Sequence, residues 1–214
     1  MVEELTITGI TPQKKNKERV NVYLDGEFAF GLSLMTAVSL SIGQVLTPEK
    51  VNSLKAADEV ERAKASAYRY LSYRPRSIAE LKRQLGNKGF NEDTIDQVVD
   101  RLSELELIDD LAFARYWVEQ RETFKPRGRR ALRYELYQKG IDREIVDIVV
   151  ADVDETESAK NAARKKARLW RELPEDQFYE KLSNYLGRRG FPYEIVRNVT
   201  QELWSSINHD NQLD

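Results

Sequence analysis

Apolar residues along most of this chain recur three and four positions apart, and three times the pattern closes on the same phrase. Residues 81–90 read Leu-Lys-Arg-Gln-Leu-Gly-Asn-Lys-Gly-Phe, residues 132–141 Leu-Arg-Tyr-Glu-Leu-Tyr-Gln-Lys-Gly-Ile, and residues 182–191 Leu-Ser-Asn-Tyr-Leu-Gly-Arg-Arg-Gly-Phe. Leucines four apart share one helix face. The Lys or Arg before the glycine suits the negative end of a helix dipole. The glycine takes the position that closes a helix by turning left-handed, and the Phe or Ile after it folds back on the last turn. Gly89, Gly140 and Gly190 are 51 and 50 residues apart, so the chain is read as a repeat.

The stretch after each glycine repeats as well. Ile95, Val146 and Val196 stand six residues on, Val98, Val149 and Val199 nine on, and Leu102, Val153 and Leu203 thirteen on. This is a helical stripe. An acid (Asp93, Glu144, Glu194) stands four residues after each glycine, in the first turn of the next helix. Upstream, each unit has a further helix that ends at a break: Arg74-Pro75-Arg76, Lys125-Pro126-Arg127 and Leu173-Pro174. The third break lies two residues further from its glycine, which predicts a different loop. Ser77-Ile-Ala-Glu80 reads as a capping box that starts the second helix of the first unit.

The first fifty residues follow another period. Leu5–Ile10 and Arg19–Leu24 alternate, and Asp25-Gly26 marks a tight turn before Glu27–Leu32. These segments predict a small antiparallel sheet with Lys14-Lys15-Asn16-Lys17 at the tip of its first connection, and Ile42–Leu46 adds a short fourth strand. Thr47-Pro48 opens a helix. The expected division is a β-rich segment over 1–48, a linking helix and repeat one over 49–107, repeat two over 108–153, repeat three over 154–207 and a frayed polar tail over 208–214. The fold class is mainly α: three tandem three-helix repeats that stack into an elongated, curved body.

Composition narrows the function. Cysteine is absent, no apolar run approaches the roughly 20 residues of a membrane span, and no signal peptide is visible, so the expected compartment is the cytoplasm. The net charge of −2 does not describe a polycation, yet basic residues cluster. Residues 121–133 hold Arg121, Lys125, Arg127, Arg129, Arg130 and Arg133 against Glu122 alone, and residues 158–171 hold Lys160, Arg164, Lys165, Lys166, Arg168 and Arg171 with no acid. There is no phosphate-binding glycine loop, and the carboxylates lack the histidine or cysteine partners that hydrolytic or metal chemistry gathers. The one histidine, His209, lies in the tail. The expectation is a protein with no catalytic activity, cofactor or metal.

Taken together, the three phrases, Arg74-Pro75-Arg76-Ser77…Glu80-Leu81, Leu107-Ile108-Asp109-Asp110…Phe113-Ala114 and Lys125-Pro126-Arg127-Gly128 resemble the RecX family, regulators of the bacterial recombinase RecA. The resemblance covers residues 58–205 well, and the β-rich start resembles the extended N-terminus of longer members. It implies a regulator that binds RecA nucleoprotein filaments in their groove, suppresses ATP hydrolysis and strand exchange, and so modulates recombination, DNA repair and the SOS response. Some members also bind DNA, and for this chain weak binding that is indifferent to sequence is expected. The chain is expected to act as a monomer, away from membranes.

On that reading the partner surface comprises Lys125, Arg127, Arg129, Arg130 and Arg133, with Arg74 and Arg76 at the first proline turn and Arg164, Lys165, Lys166 and Arg168 in the third repeat. Each cluster has a plain alternative: a solvated helix face neutralised by Glu135 and Glu119, or a helix cap. Tyr68, Tyr70, Tyr73, Tyr116, Trp117, Tyr134 and Tyr137 could stack bases, but their helical spacing beside apolar residues points to core packing. A competing functional class is a direct DNA-binding module of tandem helix-turn-helix-like units following phosphates.

Overall fold

A computed structural model of the chain describes the backbone of residues 4–210 and the side chains of residues 4–207. The chain divides into two compact units. One holds the residues up to Arg74 together with Leu81–Leu107, and the other holds Pro75–Glu80 together with the residues from Ile108 on.

In the first unit the alternating segments form an antiparallel sheet of β1 (Leu5–Pro12), β2 (Arg19–Leu24), β3 (Glu27–Ser33) and β4 (Val45–Leu46), in the order β3-β2-β1-β4. Asp25 and Gly26 both take positive φ, 49° and 90°, the geometry that matches a two-residue hairpin to the strand twist. Val20, Val22 and Leu24 alternate inward, and with Ile7, Phe30 and Leu32 they meet Val51 and Leu54. A four-residue helix, α1 (Leu34–Ala37), follows β3 and is capped by the Ser33 hydroxyl.

The Thr47 hydroxyl caps α2, with Pro48 at the first helical position. This helix runs unbroken from Pro48 to Leu71, so the linking helix and the first helix of repeat one are a single rod. No Gly or Pro interrupts residues 49–71. Asp58 lies inside this helix. Its carboxylate is buried at mid-rod, where it accepts both terminal nitrogens of Arg19 (3.0 and 2.8 Å) and the Ser33 N–H (2.9 Å). Repeat one is completed by α3 (Ile78–Asn87) and α4 (Glu92–Glu104), the latter capped by Asn91.

The second unit contains α5 (Asp110–Phe124), α6 (Arg129–Gln138) and α7 (Arg143–Ala151), then α8 (Glu155–Leu169), α9 (Glu175–Gly187) and α10 (Tyr193–Asp210). Asp109 and Asp154 cap α5 and α8. The repeated leucines Leu132 and Leu136, and Leu182 and Leu186, are fully buried in separate cores, each with the valine stripe that follows its glycine. The polar tail falls partly on α10. Residues 211–214 and the His209 side chain lie outside the described residues.

The three glycines are left-handed (φ 82°, 76° and 84°), as their helix-closing position requires. Two of them are also joints. The Ser77 hydroxyl donates to the Lys139 carbonyl (2.6 Å), the Asp110 carboxylate accepts the Ile78 N–H (2.9 Å), and a Cβ at Gly140 would overlap that of Ala79. One repeat later the same pieces recur. The Gly128 N–H donates to the Arg189 carbonyl (3.0 Å), the Glu155 carboxylate accepts the Arg129 N–H (2.7 Å), and a Cβ at Gly190 would stand 2.7 Å from that of Ala131. In each joint, the start of one repeat's middle helix sits on the end of the next repeat's middle helix. The cation before the glycine takes part: Lys139 Nζ meets Glu80 Oε1 at 2.6 Å, and Arg189 donates to the Pro126 carbonyl at 3.0 Å.

Candidate partner-binding surface

The joints consume several cations that the charge pattern puts forward. Arg129 begins α6 and turns back to donate to the carbonyls of Val153 (2.7 and 3.1 Å) and Ala151 (3.0 Å), closing the end of α7. Arg127 lies 3.3 Å from Glu135, and its Nε is buried without a hydrogen bond. Glu135 also accepts Arg121 Nε (2.6 Å) and the Trp117 indole N–H (2.9 Å), with the Arg121 guanidinium over the Trp117 ring. Arg133 pairs with Asp147 at 3.2 Å. Arg127, Arg129 and Arg133 thus each have a partner within the chain. Of the two acids the charge pattern offers as neutralisers, Glu135 pairs with Arg127 and Arg121, whereas among the described residues Glu119 forms no ion pair; Arg129 and Arg133 are met by Glu155 and Asp147 instead. Arg74 and Arg76 are half-buried at the first proline turn.

Arg130 and Lys125 are exposed and bear no ion pair among the described residues. Arg130 shares an exposed face of α6 with Tyr134 and Tyr137, at positions i, i+4 and i+7. The expectation that the tyrosines are core residues fails here. Tyr68, Tyr73, Tyr134 and Tyr137 are exposed, while Tyr70, Tyr116 and Trp117 are half-buried. On α6 the buried stripe is Leu132 and Leu136, so Tyr134 and Tyr137 fall beside it and are exposed. Arginine and tyrosine together are the side chains that most often dominate binding at protein interfaces. The 130/134/137 spacing is visible in the sequence once Leu132 and Leu136 fix the inner face.

On α8 the buried alanines Ala159, Ala162, Ala163 and Ala167 leave Arg164, Lys165 and Arg168 on the outer face. Arg164 has only a distant carboxylate, Glu157 at 3.9 Å, and Lys165 and Arg168 have none among the described residues. Lys166 is drawn away, lying over the rings of Trp170 and Tyr185. Lys160 pairs with Glu202 at 2.8 Å, a hydrogen bond that raises its pKa. Among the described residues, no set of acids and histidine is arranged to hold a metal, and no helix is long and apolar enough to cross a membrane.

Against family descriptions the chain matches the RecX regulatory protein N-terminal domain over residues 5–47, and the RecX first, second and third three-helix domains over 63–102, 109–150 and 152–200. The chain belongs to the RecX family. Among curated relatives, the regulatory protein RecX of Clostridium tetani is 32% identical over 92% of this chain and 94% of its own length. That of Clostridium botulinum Eklund 17B is 30% identical over 92% and 95%. A crystal structure of regulatory protein RecX superposes with a TM-score of 0.69 at 27% identity, covering 92% of this chain and 99% of the other. The RecX of Lactobacillus salivarius gives 0.61 at 27% identity over 69% and 97%. The three RecX three-helix domains are thus the three repeats read from the glycine phrases, and the β-rich segment is the RecX N-terminal domain. The chain is a RecX-family regulatory protein.

Proposed function

We propose that this chain binds RecA nucleoprotein filaments, suppresses their ATP hydrolysis and strand exchange without catalysing a reaction itself, and thereby modulates recombination, DNA repair and the SOS response in the cytoplasm. The observation that carries the proposal is the match of all four RecX domains, in order, along a chain that resembles known regulators of RecA. The contacts are assigned to Arg130, Tyr134 and Tyr137 on α6, Lys125 beside them, and Arg164, Lys165 and Arg168 on α8. These side chains are exposed, and their charge is left over after the joints and ion pairs are made. Arginine offers bidentate recognition of carboxylate or phosphate, and tyrosine offers area at low entropic cost.

The test adds the chain, at substoichiometric ratios, to RecA on single-stranded DNA with ATP. A fall in ATP hydrolysis with shortened filaments is expected; unchanged hydrolysis and filament length refute the proposal. The variant Arg130→Glu with Arg168→Glu should fold normally and inhibit far less.

A second reading, direct DNA binding, is favoured by the outward-facing α8 cations. DNA affinity measured without RecA across a salt titration separates the two. Tight binding with a steep salt slope supports direct DNA recognition, and weak, sequence-indifferent binding supports the filament reading.

A further inference from the structure

The joint surface at the end of the middle helix occurs three times and is filled twice. Around Gly140 and Gly190 the preceding repeat's middle helix sits against the glycine, and Lys139 and Arg189 are held by Glu80 and the Pro126 carbonyl. At the third copy, in the first unit, a Cβ on Gly89 would meet nothing within 4 Å, and Lys88 is exposed with no carboxylate partner among the described residues. The residue after the glycine tells the same story. Ile141 and Phe191 are 3% and 5% exposed, whereas their counterpart Phe90 is half-exposed beneath Arg62, whose guanidinium stands 5.7 Å from the ring centre.

Lys88 and Phe90 line a groove of about 910 Å³ that is walled by α2 and by the residues around the β1–β2 connection and α1. Of its five cations, Arg19 is held by Asp58, whereas Lys17, Arg62, Arg69 and Lys88 have no ion pair among the described residues; two carboxylates also line it, Glu18 and Glu61, the latter paired with Lys64, and Ser66 Oγ is buried there without a hydrogen bond. The walls are also apolar: Met35 is 86% and Leu34 50% exposed.

We infer that this groove docks an acidic segment of a partner protein, whose carboxylate takes Lys88 as Glu80 takes Lys139 and whose apolar side chain covers Phe90 and Met35. A protein segment fits better than nucleic acid because the groove is largely apolar, and because the filled counterpart at Gly140 holds a carboxylate on a short peptide run. Docking here does not depend on RecA binding through α6 and α8.

The probe is a fluorescein-labelled acidic peptide built on Ser77-Ile78-Ala79-Glu80-Leu81, with glutamates flanking that core. Fluorescence anisotropy with the full chain should show saturable binding. Lys88→Glu with Arg69→Glu should weaken it at least tenfold, and Arg130→Glu should leave it unchanged. Both altered side chains are exposed, so circular dichroism melts should match wild type. No saturable binding, or binding undiminished in the double variant, overturns the inference. So does equal binding of a peptide with lysine in place of glutamate. Displacement of the peptide by a short single-stranded oligonucleotide, lost with Lys88→Glu, would assign the groove to nucleic acid. A concentration-dependent dimer abolished by Lys88→Glu would assign it to a second copy, and either result overturns the proposal.

Discussion

The three glycines share one backbone conformation but not one environment, which makes them a controlled comparison. Replacing Gly89 by Ala adds a methyl group into open space, so its cost is the left-handed strain alone, about 1 kcal/mol. The same change at Gly140 incurs that strain and also forces the new methyl into the Cβ of Ala79. Overpacking of this kind adds about 1–3 kcal/mol, for a total of about 2–4. At roughly 2–4 °C per kcal/mol for a chain of this size, Gly140→Ala should lower the melting temperature by on the order of 10 °C and Gly89→Ala by about 3 °C. Trp117, Trp170 and Trp204 all lie in the second unit, so their fluorescence follows the unit in which Gly140 sits, and far-UV circular dichroism, to which both units contribute, reads the cost at Gly89. The decisive measurement is the cycle with Ala79→Gly, which removes the obstructing methyl. The double variant should be more stable than the sum of the two single changes by about 1–3 kcal/mol. At Gly190 the added Cβ would also stand 2.9 Å from the backbone nitrogen of Ala131, so Ala131→Gly should rescue only part of the loss. Equal costs at Gly89 and Gly140, or strict additivity with Ala79→Gly, would refute the joint and leave the glycine as a helix stop only.

Three further outcomes are expected. Arg129→Ala should lower stability by about 1–2 kcal/mol in urea unfolding, because the carbonyls of Ala151 and Val153 lose their donor, whereas Arg130→Ala should change it by less than about 0.5. Asp58→Ala should cost about 3–5 kcal/mol, since it strands Arg19 and the Ser33 N–H in a buried setting, and a loss below about 1 kcal/mol would show that the pair is dispensable. Asp110 tests pH dependence. Burial, with Asp142 and Asp109 nearby, raises its carboxyl pKa against the pull of the Ile78 N–H. A carboxyl raised in the folded state favours folding while protonated and loses that contribution as pH rises through its folded pKa. Asp110→Asn keeps an acceptor without the charge, so it should gain on wild type as pH rises from about 4 towards 7. A wild-type advantage that grows with pH instead would reverse the sign.

Elements governed by local rules are legible in the amino-acid pattern itself. Period-two alternation marks β1 to β3, Asp25-Gly26 marks the hairpin, and Thr47-Pro48 and Asp154 mark helix starts, because each depends on residues within a few positions of one another. What escapes the pattern depends on contacts far along the chain. Nothing in the local pattern of residues 49–71 marks Asp58 as buried, yet Arg19, 39 residues away, holds it at mid-helix. Arg129 looks like one more surface cation, yet its partners are carbonyls 22 and 24 residues on. The tyrosines share the helical spacing of the core, but spacing alone does not say on which side of the leucine stripe they fall. Of the candidate surface, Arg130, Lys125, Arg164, Lys165 and Arg168 keep the exposure that the charge pattern implied, and Tyr134 and Tyr137 join them.

The repeated phrase has two functions in one. Its left-handed glycine closes a helix, and its bare Cα receives the preceding repeat's middle helix. The receiving surface is written three times, but the inserting one only twice. Insertion uses a small or hydroxylated start, Ser77 or Gly128, followed by an alanine at the glycine, Ala79 or Ala131. The third middle helix has neither: α9 begins after Pro174 with no side-chain cap, and its first turn carries Glu175 and Asp176. The displaced proline that marks a different loop in the sequence is therefore where the docking series stops. Gly89 is left as a receiver with no inserted helix, beside four cations that have no carboxylate partner among the described residues. Closing a helix would need no more there than a residue tolerant of positive φ, such as asparagine. An open glycine flanked by a half-exposed phenylalanine and an exposed lysine is what a docking surface requires before its occupant arrives.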